Sequence, residues 1–495
     1  MRRLSIYVAL LTSMAAVAAC TNFEQEAVPD TFTPDTTTPD VDESDEDVEE
    51  GSGEPDVFAP TTGVFGMSTG AYAAPAACPE ADIAFPLSIE YCATPMDPPP
   101  WQLPNPGSGG MQNAKPSCGT TSGTETAIPR YVHLSFPETD ASTAIGINWM
   151  SDGQTFVSDV QFGTTEDNLN LHARGFSFVF DEINTPRRSQ RVHEARLCGL
   201  QPATTYYYRV GGEGAWSDVY SFTTAPAPDS GETFRLAVTG DSRSDTQALW
   251  RQALEGIESQ GADVLLFTGD AVETGTVMAQ WDVFYTQGEP DENFDRFAGM
   301  PWIFVHGNHD FLGDAAWSLN SQPRNEQNFW IRYGNTLFVS LDDTGWFLTQ
   351  ELPNEGARRF LIEALEANQD ATWRIVAHHK PIYSSGTRHG QDFGLLEAWT
   401  PVFDQYNVDL VFSGHEHNYE RSLPVRDNEV VTDDGTIYVV AAGVGAPMYD
   451  VGRSFWTAES LKTPTYVILD ISDTAINATT YDLSGTRVDS FDLAR

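Results

Sequence analysis

From Ile128 to Pro226, short runs of alternating apolar and polar residues recur between turn residues: Tyr131 to Leu134, Ala144 to Trp149, Val157 to Phe162 and Thr205 to Val210. A period of two sends successive side chains to opposite faces of a strand, so this stretch predicts an all-β sandwich over 128–227 with Trp149 in its core. Beyond Pro228 the pattern changes to more continuously apolar strands: Phe234 to Thr239, Val264 to Thr268, Trp302 to His306, Leu337 to Leu341, Arg374 to Ala377, Val408 to Phe412 and Thr436 to Ala441. Helical segments lie between them, notably Thr246 to Ser259, with Leu249, Trp250, Ala253, Leu254 and Ile257 on one face, and Ala357 to Ala367. Strands alternating with helices predict a layered α/β domain over 228–495.

The first 127 residues carry neither period. Arg2 and Arg3, the apolar stretch Leu4 to Val17 and the small residues before Cys20 read as an export signal over 1–20 and not as a membrane span. Val17-Ala18-Ala19-Cys20 resembles the bacterial lipobox, which implies cleavage before Cys20 and a membrane tether through its lipidation. The expected location is that of an exported bacterial lipoprotein, at the outer membrane, its periplasmic face or the cell surface; an ordinary signal peptide with an incidental Cys20 is the alternative. Residues 21–62 are Thr, Pro, Asp and Glu-rich, without Lys or Arg, and include the run Asp42-Glu43-Ser44-Asp45-Glu46-Asp47. Such a composition cannot bury a core, and like charges keep it extended as a tether. Residues 63–127 are rich in Cys, Pro and Gly and reveal no role. Apart from Cys20 the cysteines are Cys78, Cys92, Cys118 and Cys198, an even set that predicts two disulfides in any of three connectivities.

The formal net charge of -44 makes nucleic acid a poor partner. It would also repel small phosphorylated substrates, so an enzyme acting on them needs local positive charge of the kind bound metal ions supply.

That chemistry is written at the ends of the predicted strands: Gly240-Asp241, Gly269-Asp270, Gly307-Asn308-His309-Asp310, His378-His379 and Gly414-His415-Glu416-His417. In an open α/β sheet this edge is where ligands bind. One Gly-Asx pair is usually just a turn. Five motifs in succession, offering Asp, Asp, Asn, His and His-x-His, give a mixed oxygen and imidazole set suited to first-row metals. A pair of ions needs a bridging anion, and Asp270, central in the order, is the natural carboxylate for it.

The order GD, GD, GNH, VxxH, GHxH resembles the calcineurin-like metallophosphoesterase superfamily, and more narrowly the purple acid phosphatases. The β-module, with its Leu200-to-Val210 string, resembles the fibronectin type III-like domain that precedes their catalytic domain. The resemblance spans about Ile128 to Arg495. It implies a four-layer α/β/β/α metallophosphoesterase sandwich and two metal ions, of Fe, Zn or Mn. Asp241 and His417 would bind the first ion, Asn308, His379 and His415 the second, and Asp270 would bridge. His309 and His389 would contact the substrate phosphate and help protonate the leaving group; for His389 a solvated loop position is the alternative, with Arg388 beside it as another phosphate ligand. His378 falls on the other side of its strand. The implied reaction is in-line attack on phosphorus by a metal-bound hydroxide, from a water acidified from 15.7 to roughly 7 between ions about 3.5–4 Å apart.

Two positions depart from the family pattern. The tyrosine whose ferric phenolate colours purple acid phosphatases stands three residues after the bridging Asp, where this chain has Glu273. A His found in other members two residues after the first Asp is here Arg243. A ferric-tyrosinate is therefore not expected, and the first site is expected to be a ligand short unless Glu273 contributes, with Arg243 free to face substrate. The expected activity is acid-phosphatase-like phosphomonoester hydrolysis. The alternatives are a phosphodiesterase or nucleotide hydrolase of the same superfamily and a surface binding protein with an inert phosphoesterase fold.

Overall fold

The computed structural model describes Ser122 and residues 128–180, 190–243, 247–287, 295–310, 319–323, 326, 328–344 and 353–495. The expected export signal with Cys20, the acidic tether, and Cys78, Cys92 and Cys118 lie outside the described residues. Cys198 is disulfide-bonded.

The first module comprises β1 (Arg130–Ser135), β2 (Ala144–Asp152), β3 (Asp159–Gly163), β4 (Leu171–Arg174), β5 (Phe176–Phe180), β6 (Gln190–Cys198), β7 (Thr205–Gly211) and β8 (Tyr220–Thr223). They form two four-stranded sheets, ordered β1-β2-β6-β5 and β4-β3-β7-β8, in which every pair is antiparallel. Period-two residues from each sheet meet in one core: Leu134, Ile147, Trp149 and Leu197 from the first, Val160, Phe162, Tyr208 and Val210 from the second. The Tyr206 hydroxyl accepts the Gln201 N–H at 3.0 Å, a tyrosine corner of the kind such sandwiches use.

The second domain holds β9 (Phe234–Thr239), β10 (Val264–Phe267), β11 (Trp302–Phe304), β12 (Phe329–Tyr333), β13 (Thr336–Ser340), β14 (Trp373–Ala377), β15 (Leu410–Ser413), β16 (Tyr419–Ser422), β17 (Val425–Arg426), β18 (Glu429–Val430), β19 (Ile437–Ala441), β20 (Thr457–Leu461), β21 (Thr465–Ile471), β22 (Ala475–Asp482) and β23 (Arg487–Ala494). Its α-helices among the described residues are α1 (Ala248–Ser259), α2 (Met278–Thr286), α3 (Pro353–Ala367) and α4 (Phe393–Tyr406). One sheet runs β11-β10-β9-β21-β22-β23 and the other β12-β13-β14-β15-β19-β16-β20. Alternation sorts each central strand between two covered faces. Leu236, Val238, Leu266, Ile375, Phe412 and Val439 meet in the core between the sheets. On the first sheet's outer face Ala237, Leu265 and Phe267 pack with α1 and α2 residues Trp250, Leu254, Trp281 and Phe284. On the second's, Val339, Val376, Val411 and Tyr438 pack with Phe360, Leu361, Trp399 and Phe403 of α3 and α4. Helix, sheet, sheet and helix are the four layers.

One expected core residue is corrected. Leu249 is 39 % exposed, whereas Trp250, Ala253, Leu254 and Ile257 are buried. Those four follow the i, i+3, i+4, i+7 stripe, and Leu249, one residue before it, is turned about 100° to its edge.

The module and the catalytic domain share one apolar core, in which Phe136 packs edge-on to Tyr333 with ring centroids 6.0 Å apart. Across the same boundary the Tyr208 hydroxyl donates to the Ala298 carbonyl at 2.8 Å, and the Ser321 hydroxyl donates to the Glu194 carboxylate at 2.9 Å.

Candidate metal centre

The C-terminal ends of β9, β10, β11, β14 and β15 bring the five motifs together. Asp241, Asp270 and His417 form one group of donor atoms within 4.8 Å of one another, and Asp270, His379 and His415 form a second. Asp270 is common to both. His379 Nε2 lies 3.3 Å from Asp270 Oδ1, and His417 Nε2 lies 3.4 Å from Asp241 Oδ1.

The backbone at these positions is bent to serve the site. Asp241, Asp270 and His415 have φ of 56°, 57° and 66°, the left-handed region that costs a non-glycine residue roughly 1–3 kcal/mol. The motif glycines are required by close approach. A Cβ on Gly307 would stand 2.2 Å from Asp270 Oδ1 and 2.3 Å from its backbone nitrogen, and one on Gly414 would stand 2.4 Å from Asp241 Oδ2.

Hydrogen bonds then fix four of the donors. His379 donates through Nδ1 to the Thr268 carbonyl at 2.8 Å, and His417 through Nδ1 to the Pro447 carbonyl at 2.7 Å. A carbonyl only accepts, so Nδ1 is engaged in both rings and Nε2 is the nitrogen left to face a metal, the outer-shell arrangement typical of metal-bound imidazoles. The backbone N–H of His309 donates to Asp270 Oδ1 at 2.9 Å, and that of His415 reaches both Asp241 oxygens at 3.1 Å.

Among the six residues expected to bind metal, three buried atoms lack a hydrogen-bond partner: Asp270 Oδ2, Asn308 Oδ1 and His379 Nε2. Buried polar atoms are normally satisfied. These orphans are all metal donors, so the residues fit a pair of ions shared across Asp270.

The electrostatics mark a strongly acidic donor set. Burial opposes charge on His379, yet the Asp270 carboxylate beside it, with Asp241 and Asp343, holds the imidazole up at about 10, so the ring without an ion carries a proton that a bound metal would displace. The same pairing outweighs burial at Asp270 and pulls its carboxyl well below the usual range. Burial, then the His379 and His389 charges, push His415 down to about 2, so this ring stays neutral as a ligand must.

His309 lies beside Asp270, with Nε2 4.0 Å from Oδ2, and its Nδ1 donates to the Glu273 carbonyl at 2.7 Å. The His389 ring centroid is 4.1 Å from that of His415, so this loop histidine stands at the exposed rim of the cluster. Arg388 lies over the Tyr449 ring at 5.9 Å. His378 continues the alternation of β14 into the outer layer: Nδ1 is 3.4 Å from Asp343 Oδ2 and the ring packs edge-on to Trp399. Neither departure residue is idle. Arg243 reaches Glu273 at 2.5 Å and lies 3.4 Å from both Asp270 Oδ2 and His417 Nε2.

Sequence reasoning missed three supporting residues. The Asp310 carboxylate accepts the N–H groups of Asp270 at 2.7 Å, Ala271 at 2.8 Å, Gly307 at 3.0 Å and Val272 at 3.3 Å, and so clamps the second and third motifs together. Glu416 accepts the N–H groups of His389 and Gly390 and so holds the His389 loop. Both sit inside motifs already singled out, where a buried acid between ligands was the available signal. Tyr449, stacked on His417 at 4.2 Å, lies in no motif and gave none.

A four-layer α/β/β/α domain with a carboxylate shared between two ligand groups at its strand ends defines a binuclear metallophosphoesterase, an enzyme that hydrolyses phosphate esters. The calcineurin-like phosphoesterase model matches residues 234–419, and the purple acid phosphatase N-terminal domain matches residues 129–224. The chain belongs to the calcineurin-like metallophosphoesterase superfamily and is purple acid phosphatase-like in its two-domain design. It is 26% identical to purple acid phosphatase 22 of Arabidopsis thaliana over 321 residues, covering 61% of this chain and 68% of that one. It is 25% identical to human acid phosphatase type 7 over 392 residues, covering 70% and 86%. The purple acid phosphatase from yellow lupin (Lupinus luteus) seeds has the same fold, with a TM-score of 0.63 at 21% identity over 74% of this chain and 75% of that one.

Proposed function

We propose that the chain is an acid-phosphatase-like phosphomonoesterase working at two divalent ions of the Zn, Mn or Fe type. Asp241, Asp270 and His417 would hold the first ion, and Asp270, Asn308, His379 and His415 the second. The single observation behind this is Asp270, shared by both groups of donors. When bound, such ions supply Lewis acidity and a water acidified to the neutral range. The chain's own residues supply the rest. The Thr268 and Pro447 carbonyls orient His379 and His417. His309, held through Nδ1 on the Glu273 carbonyl, presents Nε2 toward the centre, where it can hydrogen-bond a phosphoryl oxygen. His389, brought beside His415 by the Glu416-anchored loop, would hand a proton to the departing alkoxide oxygen. These two histidines favour a monoester, whose terminal oxygens offer the acceptors they need.

The test is a panel of phosphomonoesters and phosphodiesters assayed with each added metal, for the native chain and Asp270→Asn. Monoester turnover that Asp270→Asn reduces at least a thousandfold, together with metal loss, supports the reading. Preferential diester turnover moves it to the phosphodiesterases, and unchanged hydrolysis and metal content in the variant would overturn it.

The chain is also proposed to be exported and membrane-tethered through lipidated Cys20. The Val17-Ala18-Ala19-Cys20 string supports this, and the disulfide at Cys198 suits an oxidising compartment. Acyl labelling that survives Cys20→Ala would refute it.

A further inference from the structure

Arg243 and Glu273, the two departures from the family pattern, form one unit pressed against the first group of donors. The guanidinium reaches Glu273 through Nη1 at 2.5 Å, lies 3.4 Å from Asp270 Oδ2 through Nε, and 3.4 Å from His417 Nε2 through Nη2. Two of the three residues proposed to hold the first ion therefore face a permanent positive charge. The Arg243 side chain is only 11% exposed, while its counter-ion Glu273 is 56% exposed. Water screens the carboxylate more than the guanidinium, so the pair does not cancel toward the site. The first group also offers three protein residues, against four proposed for the second.

We propose that Arg243, positioned by Glu273, sets the affinity and charge of the first metal: it makes this ion the weaker and more exchangeable of the two and selects a divalent over a trivalent ion. The inference rests on the two-metal reading above. Coulomb repulsion scales with the product of the charges, so a fixed guanidinium penalises a trivalent ion half as much again as a divalent one at the same place. Arg243 is a positioning and tuning residue here, and its signature is in metal binding and not only in turnover.

The test is calorimetric titration of the metal-stripped full chain with Zn2+, with bound metal counted by mass spectrometry and thermal melting as the check on folding. His417→Ala identifies the first-site isotherm as the one it abolishes. Arg243→Gln is expected to tighten that isotherm on the order of tenfold and to raise retained Fe3+, while Glu273→Gln loosens it by a similar factor. Arg243→Lys, which keeps the charge, stays close to the native chain. Two ions bound natively with no change in any folded variant would overturn this proposal alone, as would weaker binding in Arg243→Gln. No ion bound by the native chain at either site would overturn the two-metal reading and this proposal with it.

Discussion

Gly307→Ala isolates how tightly the second and third motifs are fitted to each other. The added Cβ would meet Asp270 Oδ1 at 2.2 Å and the Asp270 backbone nitrogen at 2.3 Å. Ordinary contact begins near 3.4 Å, so about 1 Å must open on both. The carboxylate could rotate, but the nitrogen is tied to Asp310 by a 2.7 Å hydrogen bond and cannot retreat without breaking the clamp. Overpacking of this kind costs roughly 1–3 kcal/mol, equivalent to roughly 2–12 °C in melting temperature for a domain of this size. Displacing Asp270 by about 1 Å is also expected to lower turnover on the order of a hundredfold. Melting of the metal-stripped protein, metal content and phosphatase rate are measured together. Gly299→Ala is the control, because its Cβ would approach nothing nearer than the Ser221 carbonyl at 3.4 Å. A Gly307→Ala variant with native melting, metal content and rate would refute the argument that close approach fixes this glycine.

Burial pushes the Asp342 carboxyl up to about 6. A raised folded value makes ionisation costly: the cost is absent below about pH 4, grows to about 3 kcal/mol by pH 6 and stays constant above. Asp342→Asn keeps an oxygen for the Thr344 N–H and hydroxyl, so it should stabilise at pH 8 by up to about 3 kcal/mol and change nothing at pH 4; equal effects in denaturation at both pH values would refute this. Glu416→Ala frees the His389 loop and should reproduce His389→Ala, with kcat down about tenfold to a hundredfold, metal content retained and no further loss in the double variant. Fully additive losses would separate the two residues. Iron-loaded protein should show no tyrosinate charge-transfer band, because Glu273 stands at the tyrosine position; a band that vanishes in Tyr449→Phe would instead assign a phenolate to Tyr449.

The layers and the gathering of Asp241, Asp270, His379, His415 and His417 were legible because both rest on local rules. Strands such as β14 and β15 are apolar on both faces, and period two alone sends His378 outward and His379 toward the site. Glycine followed by Asp or Asn at a strand end marks the left-handed and close-approach positions. What escaped detection depends on long-range contact. Arg243 and Glu273 stand 30 residues apart and meet only in the folded site, as the hydrogen bond between them records. Tyr449 reaches His417 from a loop whose pattern says nothing of metals. Leu249 was misplaced because a helical face has a soft edge that sequence does not draw.

The change of texture near Pro228 marks two modules, yet Phe136, Tyr208 and Glu194 on one side are fitted to Tyr333, Ala298 and Ser321 on the other within a continuous core. The seam visible in the sequence is therefore no break in the packing. A catalytic half cut away at that point would bare an apolar face to water, and a β-module transplanted from a relative at about 25% identity would arrive with the wrong side chains for it. A substitution on one side of the seam is expected to need an answering one on the other.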